Sequence, residues 1–283
     1  MQICRTVSDI RAAVARFRAA GEGVGLVTTM GALHDGHMAL VSEARGAHDR
    51  VVATIFVNPT QFGEAADLEN YPRTEARDLE MLEAAGVDAV LIPEVSEIYP
   101  EGDETIVETT RLANILHGAV RPGHFRGVTT VVAKLFNICQ PDAAYFGEKD
   151  FQQLHVIKRM VRDLHMPLNI RGVPTVREAD GLAMSSRNVR LTPEDRAAAP
   201  VLSRALDAAQ TSGAGRVEDL ARIIRDTIAT EPRATLKGLD IVWLSDFSPA
   251  TGPLAAPVGI MISAEFGRGD NHVLLIDQRE VHP

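Results

Sequence analysis

Two histidines three residues apart follow the first strongly apolar run of the sequence. His34 and His37 lie in the segment TTMGALHDGH, where Gly31 and Gly36 mark the step from a strand to a helix. At such a step the backbone N–H groups and the helix dipole attract an anion, and an imidazole can donate a hydrogen bond to a phosphate oxygen. The segment therefore predicts a phosphate site. A metal site completed by His124 and a pair of ordinary surface histidines remain as alternatives.

Two cationic residues stand in comparable positions further along the chain. Lys149 lies in GEKD, directly after a short apolar run, and Arg187 ends the segment MSSR. Two hydroxyls followed by a guanidinium suit a polyphosphate. The alternatives are a solvated lysine paired with a neighbouring carboxylate and a plain turn at the serines.

Three neutral amides accompany these cations. Asn58 and Gln61 lie in NPTQF, and Gln153 lies in FQQL. Such amides can orient a small polar substrate without adding charge to a cleft that holds phosphate. Taken singly, each is also typical of a solvated surface residue.

The elements that must position these residues alternate between strand and helix. The predicted strands cover Val24–Thr29 and residues 50–57, 87–93, 143–146 and 168–176, and the predicted helices cover residues 9–20, 36–47, 74–85, 127–138 and 151–164, with Ser8 as the first N-cap. This order predicts about five parallel strands with right-handed crossovers. The segments at residues 28–37, 58–62, 147–150 and 177–187 follow strand ends, so we expect them to converge on one cleft.

The pattern changes after residue 175. Helices are predicted at residues 193–211, broken or kinked at Pro200, and at residues 216–230, followed by strands at residues 239–245, Val258–Phe266 and 272–277. The predicted fold is α/β, with a Rossmann-like parallel sheet domain at residues 1–175 that carries helices on both faces. A smaller α+β C-terminal domain is predicted at residues 176–283.

Composition narrows the class of protein. The 283 residues carry 29 Lys+Arg against 38 Asp+Glu, a formal net charge of −9, which argues against nucleic-acid partners and a polybasic membrane anchor. No apolar run is long enough for a signal peptide or a membrane span. The two cysteines, Cys4 and Cys139, fit buried packing positions in a reducing compartment. We therefore expect a cytoplasmic protein.

Six motifs occur in an order that identifies a family. TMGALHDGH, IFVNPTQF, YPRT, RPGHFRGV, QPDAAYFGEKDFQQL and VREADGLAMSSRN together resemble the pantothenate synthetases, ligases that join pantoate to β-alanine. The resemblance implies two steps: Mg-ATP converts pantoate to pantoyl adenylate with release of pyrophosphate, and β-alanine then displaces AMP. A nucleotidyltransferase of the same HxGH superfamily and a non-catalytic nucleotide-sensing module are the rival interpretations.

The resemblance also implies site residues, cofactors and partners. ATP and Mg²⁺ are expected with small-molecule substrates, without assigned metal ligands, and the chain is expected to form a homodimer whose C-terminal domain acts as a lid over ATP. The implied catalytic residues are His37, His34, Lys149 and Arg187; the ATP-binding residues are Met30, Gly31, Ala32, Leu33, His34, Asp35, Gly36, His37, Gly147, Glu148, Lys149, Asp150, Val176, Met184, Ser185, Ser186 and Arg187; the pantoate-binding residues are Gln61, Gln153 and Asn58; and the β-alanine-binding residues are Gln61 and His124.

Two positions depart from the family pattern. Thr28 stands where proline is common, which suggests the loss of a rigid turn, and Thr60 replaces a common methionine near the pantoate pocket. Neither change removes a charged or hydrogen-bonding group, so we expect altered affinity rather than lost activity.

Overall fold

The computed structural model describes residues 1–63, 68–69, 71–267 and 272–283. The chain forms two compact units, the first from Met1–Gly147 and Gln152–Pro174, and the second from Glu148–Phe151 and Thr175–Pro283. The predicted domain division after residue 175 stays a prediction. Nothing in the sequence pointed to the grouping of Glu148–Phe151 with the second unit.

The first unit is built on a parallel sheet that, in the described residues, has six strands. Their order is β1-β4-β3-β2-β5-β6, and neighbouring strands pair in parallel. The strands are β1 (Gln2–Cys4), β2 (Val24–Thr29), β3 (Arg50–Ile55), β4 (Ala89–Leu91), β5 (Ala143–Gly147) and β6 (Asn169–Val173). The prediction of about five strands missed β1, since three residues give no readable alternation. Thr28 pairs with Thr54 inside the sheet, so the expected loosening of a turn at this position is wrong.

Helices cover both faces of this sheet, as predicted. They are α1 (Val7–Ala19), α2 (Asp35–Ala47), α3 (Glu75–Ala84), α4 (Val95–Ile98), α5 (His117–Val120), α6 (His124–Cys139) and α7 (Phe151–Asp163). Successive strand residues point to opposite faces: Leu26 packs in the cluster that holds α1, α6 and α7 residues, and Val27 packs with α2 and α3 residues. The sheet is therefore buried on both sides, which explains its apolar strands.

The start of α1 differs from the prediction. Thr6, not Ser8, is the N-cap: its hydroxyl accepts a hydrogen bond from the Asp9 N–H at 3.1 Å, and the Asp9 carboxylate accepts one from the Thr6 N–H at 3.3 Å. This reciprocal capping box satisfies two N–H groups that the helix itself cannot pair. The spacing Thr6-x-x-Asp9 was the signal in the sequence.

Both cysteines are buried in the first unit, as predicted. Cys4 and Cys139 are 0 % exposed and belong to the same apolar cluster. Burial raises the pKa of Cys139 to about 12 and also raises that of Cys4. Both thiols are therefore protonated and shielded. In the described part of the chain, no helix combines the length and apolar character needed to span a bilayer.

The second unit combines helices with an antiparallel sheet. Its helices are α8 (Pro193–Ala198), α9 (Val201–Thr211) and α10 (Val217–Ala229), and its strands β7 (Ala234–Trp243), β8 (Val258–Phe266) and β9 (Val273–Val281) pair in the order β7-β8-β9. The predicted break at Pro200 is confirmed, because α8 and α9 lie on either side of it. β7 begins before the predicted residue 239, and its register shifts between Leu236 and Gly238.

Phe151 contributes an aromatic ring to the second unit. The ring stacks on Phe247 with 5.7 Å between centroids. Gly259 lies beside it, and a Cβ there would fall 2.5 Å from Phe151 Cε1. Glycine is therefore required at position 259 for the ring to fit.

Candidate active site

The predicted site segments follow four adjacent strands. β3, β2, β5 and β6 are neighbours in the sheet, and residues 58–62, 28–37, 147–150 and 177–187 lie at or after their carboxyl ends, with residues 28, 29 and 147 still in β2 and β5. In parallel sheets this edge holds the ligand, at the point where the strand order reverses. Here the order reverses at β2, from which the chain proceeds to β3 on one side and later to β5 on the other.

Asn58 and Gln61 form a hydrogen-bonded pair after β3. Asn58 caps a short 3₁₀ helix, Pro59–Gln61, and is only 1 % exposed. Its Nδ2 donates to Gln61 Oε1 and to the Gly127 carbonyl, each at 3.1 Å. Gln61 Nε2 in turn donates to Met30 Sδ at 3.0 Å. The structure thus brings together two predicted pantoate residues and one predicted ATP residue.

His124 joins this group through the backbone. It is the first residue of α6, and its Nδ1 lies 2.8 Å from the Gln61 carbonyl oxygen. Close packing of α6 on the 3₁₀ helix depends on Gly127, where a Cβ would lie 2.4 Å from the Thr60 carbonyl oxygen. The predicted β-alanine residue His124 is therefore placed beside Gln61 because a glycine lets two backbones approach.

The loop between β2 and α2 is held by a buried carboxylate. Gly31 and Ala32 both have positive φ, +83° and +50°, and the N–H groups of Ala32 and Leu33 each donate to Asp78 at 2.9 Å. Thr74 Oγ1 donates to Asp78 as well, at 3.1 Å. Contrary to expectation, these two backbone N–H groups are therefore not available to a phosphate. Asp78 is 1 % exposed and takes the place of an external anion.

His34 and His37 cap α2 with their imidazoles. His34 Nδ1 accepts from the Gly36 N–H at 3.1 Å, and His37 Nδ1 accepts from the His34 N–H at 3.3 Å. The ring centroids lie 4.2 Å apart. A nitrogen that accepts carries no proton, so these bonds place the proton of each neutral ring on Nε2.

The two adjacent glutamines of FQQL have different surroundings. Gln152 is buried, and its Nε2 donates to the Leu112 and Ile115 carbonyls at 2.9 and 2.8 Å while its Oε1 accepts from the His117 N–H at 3.1 Å. It therefore fixes the backbone before α5. Gln153, the predicted pantoate residue, is half-buried on the first turn of α7.

Lys149 lies in the second unit beside Asp150. Its ammonium is 3.3 Å from the Asp150 carboxylate, and its side chain is 18 % exposed. The pairing with a neighbouring carboxylate, an alternative for this lysine, is therefore present. The Asp150 side chain is 50 % exposed, so water screens the ion pair and weakens it. Lys149 can therefore exchange partners.

The MSSR segment belongs to a hairpin of the second unit whose two sides are joined by backbone hydrogen bonds. Arg177 forms a β-bridge with Ala183, and the Met184 N–H donates to the Val176 carbonyl at 2.9 Å. The Ser185 hydroxyl accepts from the Arg187 N–H at 3.2 Å, which makes a turn. Both the turn and the polyphosphate interpretation of this segment are compatible with that arrangement.

Ion pairs anchor this hairpin. The Arg177 guanidinium makes a bidentate pair with Asp277 at 2.7 and 2.9 Å, and Arg196 pairs with Glu178 and Asp180, each at 2.6 Å. Asp277 is 2 % exposed. The charged residues of READ therefore anchor the segment that presents Ser185, Ser186 and Arg187, although Asp180 is itself exposed.

Histidines and carboxylates do not form a metal cluster in the part of the chain that the structure describes. No group of three His, Cys, Asp or Glu side chains there is arranged to hold an ion. The interpretation of His34, His37 and His124 as a metal site is therefore unsupported.

Sequence reasoning missed three residues that support the site. Asp78 and Tyr99 each bind backbone or side-chain groups of a site segment. Gln152, next to the predicted site residue Gln153, binds the backbone before α5. Asp78 and Tyr99 lie far along the chain from their partners, and neither belongs to a glycine-rich or cation-bearing motif. Gln152 stands beside Gln153 in the sequence, but this position does not show which of the two glutamines binds a ligand and which supports the backbone.

Comparison with known proteins gives a consistent result along the whole chain. The sequence model of a family described as pantoate-beta-alanine ligase matches residues 2–280. A pantothenate synthetase from Sinorhizobium medicae is 50 % identical over 289 residues, which covers 100 % of this chain and 97 % of the relative. One from Chloroflexus aggregans is 56 % identical over 237 residues, covering 83 % of this chain and 84 % of the relative.

Solved structures agree with the sequence relatives. The pantothenate synthetase of Thermus thermophilus superposes with a TM-score of 0.92 at 47 % identity, covering 100 % of both chains. The pantoate-beta-alanine ligase of Francisella tularensis, crystallised with beta-gamma ATP and beta-alanine, has a TM-score of 0.79 at 34 % identity and covers 99 % of this chain and 97 % of its own.

Proposed function

The chain belongs to the pantoate-beta-alanine ligase family, and we propose that it joins its two substrates through an acyl adenylate. In the first step the pantoate carboxylate attacks the α-phosphorus of Mg-ATP and pyrophosphate leaves. In the second the neutral amine of β-alanine attacks the acyl carbon, the amide forms, and AMP and a proton are released. Such chemistry needs alignment and neutralisation of charge more than a protein nucleophile.

The observation that carries this proposal is that two histidines and two amides follow the neighbouring strands β2 and β3. His34 and His37, protonated on Nε2, can donate to phosphate oxygens. Asn58 and Gln61 supply neutral polar groups, and Gln61 contacts Met30, which precedes the histidines in the same loop. One side of the sheet edge thus suits a triphosphate and the other a small hydroxy acid.

The other predicted residues complete the proposed roles. Lys149, Ser185, Ser186 and Arg187 neutralise the triphosphate, and Val176 lies against the adenine. Gln61 and Gln153 bind pantoate, and Gln61 with His124 receives β-alanine. Magnesium enters with the nucleotide as part of the substrate, which accords with its preference for phosphate oxygens and water. A cytoplasmic homodimer remains part of the proposal, on the strength of the family resemblance.

We test the first half-reaction by pyrophosphate release. Wild-type protein with Mg-ATP should release pyrophosphate only when pantoate is present, and AMP should turn over only after β-alanine is added. His37→Ala removes the imidazole donor and should lower the pantoate-dependent rate by about 100-fold or more. Release with a phosphorylated acceptor instead of pantoate would indicate a nucleotidyltransferase.

Closure of the second unit over ATP is a separate part of the proposal. A mixed anhydride exposed to water would hydrolyse, so exclusion of water benefits the second step. Small-angle scattering should show compaction when ATP and pantoate are added. An unchanged radius of gyration would rule closure out.

A further inference from the structure

Asn58 Oδ1 is surrounded by hydrogen-bond donors. The Tyr99 hydroxyl donates to it at 2.8 Å, the Thr60 hydroxyl at 3.0 Å and the Thr60 N–H at 3.3 Å. The two hydroxyls are themselves 3.1 Å apart. Asn58 is 1 % exposed, so its amide is shielded from water, whereas Thr60 lies at the surface and Tyr99 is half-buried.

These donors fix which way the Asn58 amide faces. An amide oxygen accepts and an amide nitrogen donates, so the oxygen must face the Thr60 N–H, which can only donate, and Nδ2 must face the opposite side. The two hydroxyls, which can rotate to donate, reinforce this orientation. On that side lie two acceptors, the Gly127 carbonyl and Gln61 Oε1, each at 3.1 Å. A flipped Asn58 would place its nitrogen against the Thr60 N–H and its oxygen against the Gly127 carbonyl.

The orientation of Asn58 determines that of Gln61. Because Asn58 Nδ2 donates, the atom of Gln61 that meets it must be the oxygen. Gln61 Nε2 then faces away from Asn58, where it contacts Met30 Sδ at 3.0 Å. A thioether is a weak acceptor, so a ligand oxygen that replaced this contact would gain a stronger hydrogen bond.

We infer that Tyr99 and Thr60 are positioning residues whose hydroxyls orient Asn58 and, through it, Gln61. The relay presents the N–H groups of Gln61 to the ligand, and it therefore selects a ligand with a hydroxyl or carboxylate oxygen at that point. This inference rests on the proposed function, in which Gln61 binds pantoate. Neither Tyr99 nor Thr60 needs to touch the substrate.

Packing holds the Tyr99 phenol in place. Tyr99 follows α4, its ring lies 4.7 Å from the Lys134 ammonium, and the Lys134 ammonium donates to the Ile98 carbonyl at 2.9 Å and to Asp103 at 2.6 Å. The Phe56 ring lies 6.3 Å away. These contacts do not involve the hydroxyl, so Tyr99→Phe removes the donor while the ring keeps its packing.

The experiment compares KM values for pantoate and ATP in pyrophosphate release. Tyr99→Phe and Thr60→Val should each raise the KM for pantoate about five- to tenfold, the loss expected for one hydrogen bond, with the KM for ATP within about twofold. Thr60→Ser keeps the hydroxyl and should restore the wild-type value. The double variant should exceed the product of the single effects, because each hydroxyl partly replaces the other. Tyr145→Phe removes a buried phenol hydroxyl outside the relay and is the matched control.

A second readout tests amide orientation without substrate. In ¹⁵N-labelled protein, hydrogen exchange of the Asn58 side-chain NH₂ should be slow in the wild type and faster in the Tyr99→Phe, Thr60→Val double variant. Equal pantoate KM values and equal exchange in all variants would overturn the inference, as would parallel rises in both KM values that Thr60→Ser fails to restore. A wild type without pantoate-dependent release, but with faster exchange in the double variant, would refute the proposed function and leave the relay standing.

Discussion

Asp78 shows how a buried charge can shape the loop that we propose for ATP binding. Its carboxylate receives the N–H groups of Ala32 and Leu33 and the hydroxyl of Thr74. These bonds stabilise Ala32 in a left-handed conformation that costs about 1 kcal/mol or more for a residue with a Cβ. The loop is therefore held in shape by the protein's own groups.

Asp78→Asn should damage both stability and ATP binding. One oxygen becomes an NH₂ group that must face a backbone N–H or the threonine hydroxyl, which we expect to cost ~1–3 kcal/mol in unfolding free energy. Thermal denaturation and the KM for ATP measure the two effects. Asp163→Asn, at an exposed position at the end of α7, is the control, and equal behaviour of the two variants would contradict the assigned role.

At the residue scale, the sequence indicated the residues that we propose for binding more readily than the residues that hold them in place. His34, His37, Asn58 and Gln61 stand in motifs whose local spacing reveals a strand-to-helix step. Asp78 meets its partners only after the sheet has formed, and its own surroundings in sequence are those of a charged helix. Pairings of this kind follow from tertiary structure and leave no local pattern.

Among the elements, the contact of α6 with the 3₁₀ helix Pro59–Gln61 is set by one glycine. Gly127 leaves no room for a side chain, since a Cβ would approach the Thr60 carbonyl carbon to 2.7 Å and the Gln61 nitrogen to 2.8 Å. Backbone atoms cannot swing aside as a flexible side chain can. The position of Gln61 therefore depends on the absence of an atom on the neighbouring helix.

Gly127→Ala should displace the 3₁₀ helix and weaken pantoate binding about tenfold or more, with a lower melting temperature. Gly46→Ala is a matched control in α2, where a Cβ would meet nothing within 4 Å. Alanine there should be neutral or stabilise the protein by ~0.5–1 kcal/mol through the unfolded state. Similar pantoate KM values for both variants would show that α6 does not set the site.

The hairpin of residues 177–188 depends on its ion pair with β9. Asp277→Asn leaves the half-buried Arg177 guanidinium without its charged partner, and we expect a loss of about 3 kcal/mol in unfolding free energy with a raised KM for ATP. Asp219→Asn breaks an exposed pair with Arg222 and should cost ~0.5 kcal/mol or less. Thermal melts and ATP titrations of the two variants provide the comparison; equal melts would contradict the anchoring role.

Helices and strands were predicted correctly where the periodic pattern of apolar residues was long enough to identify the element. β8 and β2 have the predicted bounds, and Pro200 separates two helices as expected. β1 failed because three residues carry no period, and β7 began early because its first residues are only partly buried. The N-cap of α1 was assigned to Ser8 instead of Thr6 because the Thr6-x-x-Asp9 spacing of a capping box was overlooked.

For the whole molecule, carboxylates with lowered pKa values determine how the stability of the folded state falls at acidic pH. Burial pushes the pKa of Asp142 upward, but hydrogen bonds from Arg18 and the Val24 N–H outweigh it and leave the pKa below its usual range. Arg50 lowers the pKa of Glu22, and Arg5 lowers that of Glu75. A carboxylate with a lowered folded-state pKa stabilises the protein above its unfolded pKa and loses this effect as pH falls through the folded value.

The melting temperature should therefore fall as pH is lowered from about 5 to about 3. Asp142→Asn removes one titrating contributor, so its melting temperature should lie below the wild type at pH 7, and the gap should narrow as the pH falls. Calorimetry across this range gives the measurement. A gap that stayed constant with pH would show that Asp142 does not contribute through its charge.

The division of the chain into two units was harder to predict than the helices and strands within each unit. Alternating strands and helices indicated a parallel sheet, and the later elements indicated a separate α+β region. The grouping of Glu148–Phe151 with the second unit depends on the stacking of Phe151 on Phe247, a contact between residues far apart in the sequence. Sequence periodicity carries no information about such long-range packing.

The position of Phe151 also affects the order in which contacts form while the chain is being synthesised. A ribosome that adds ~5–20 residues per second reaches Phe247, whose ring stacks on Phe151, roughly 5–20 s after it has added Phe151. Until then the nascent chain carries this aromatic ring without its final neighbour. Slow decoding between positions 151 and 247 would therefore lengthen the time in which chaperones, rather than the protein itself, must cover the ring.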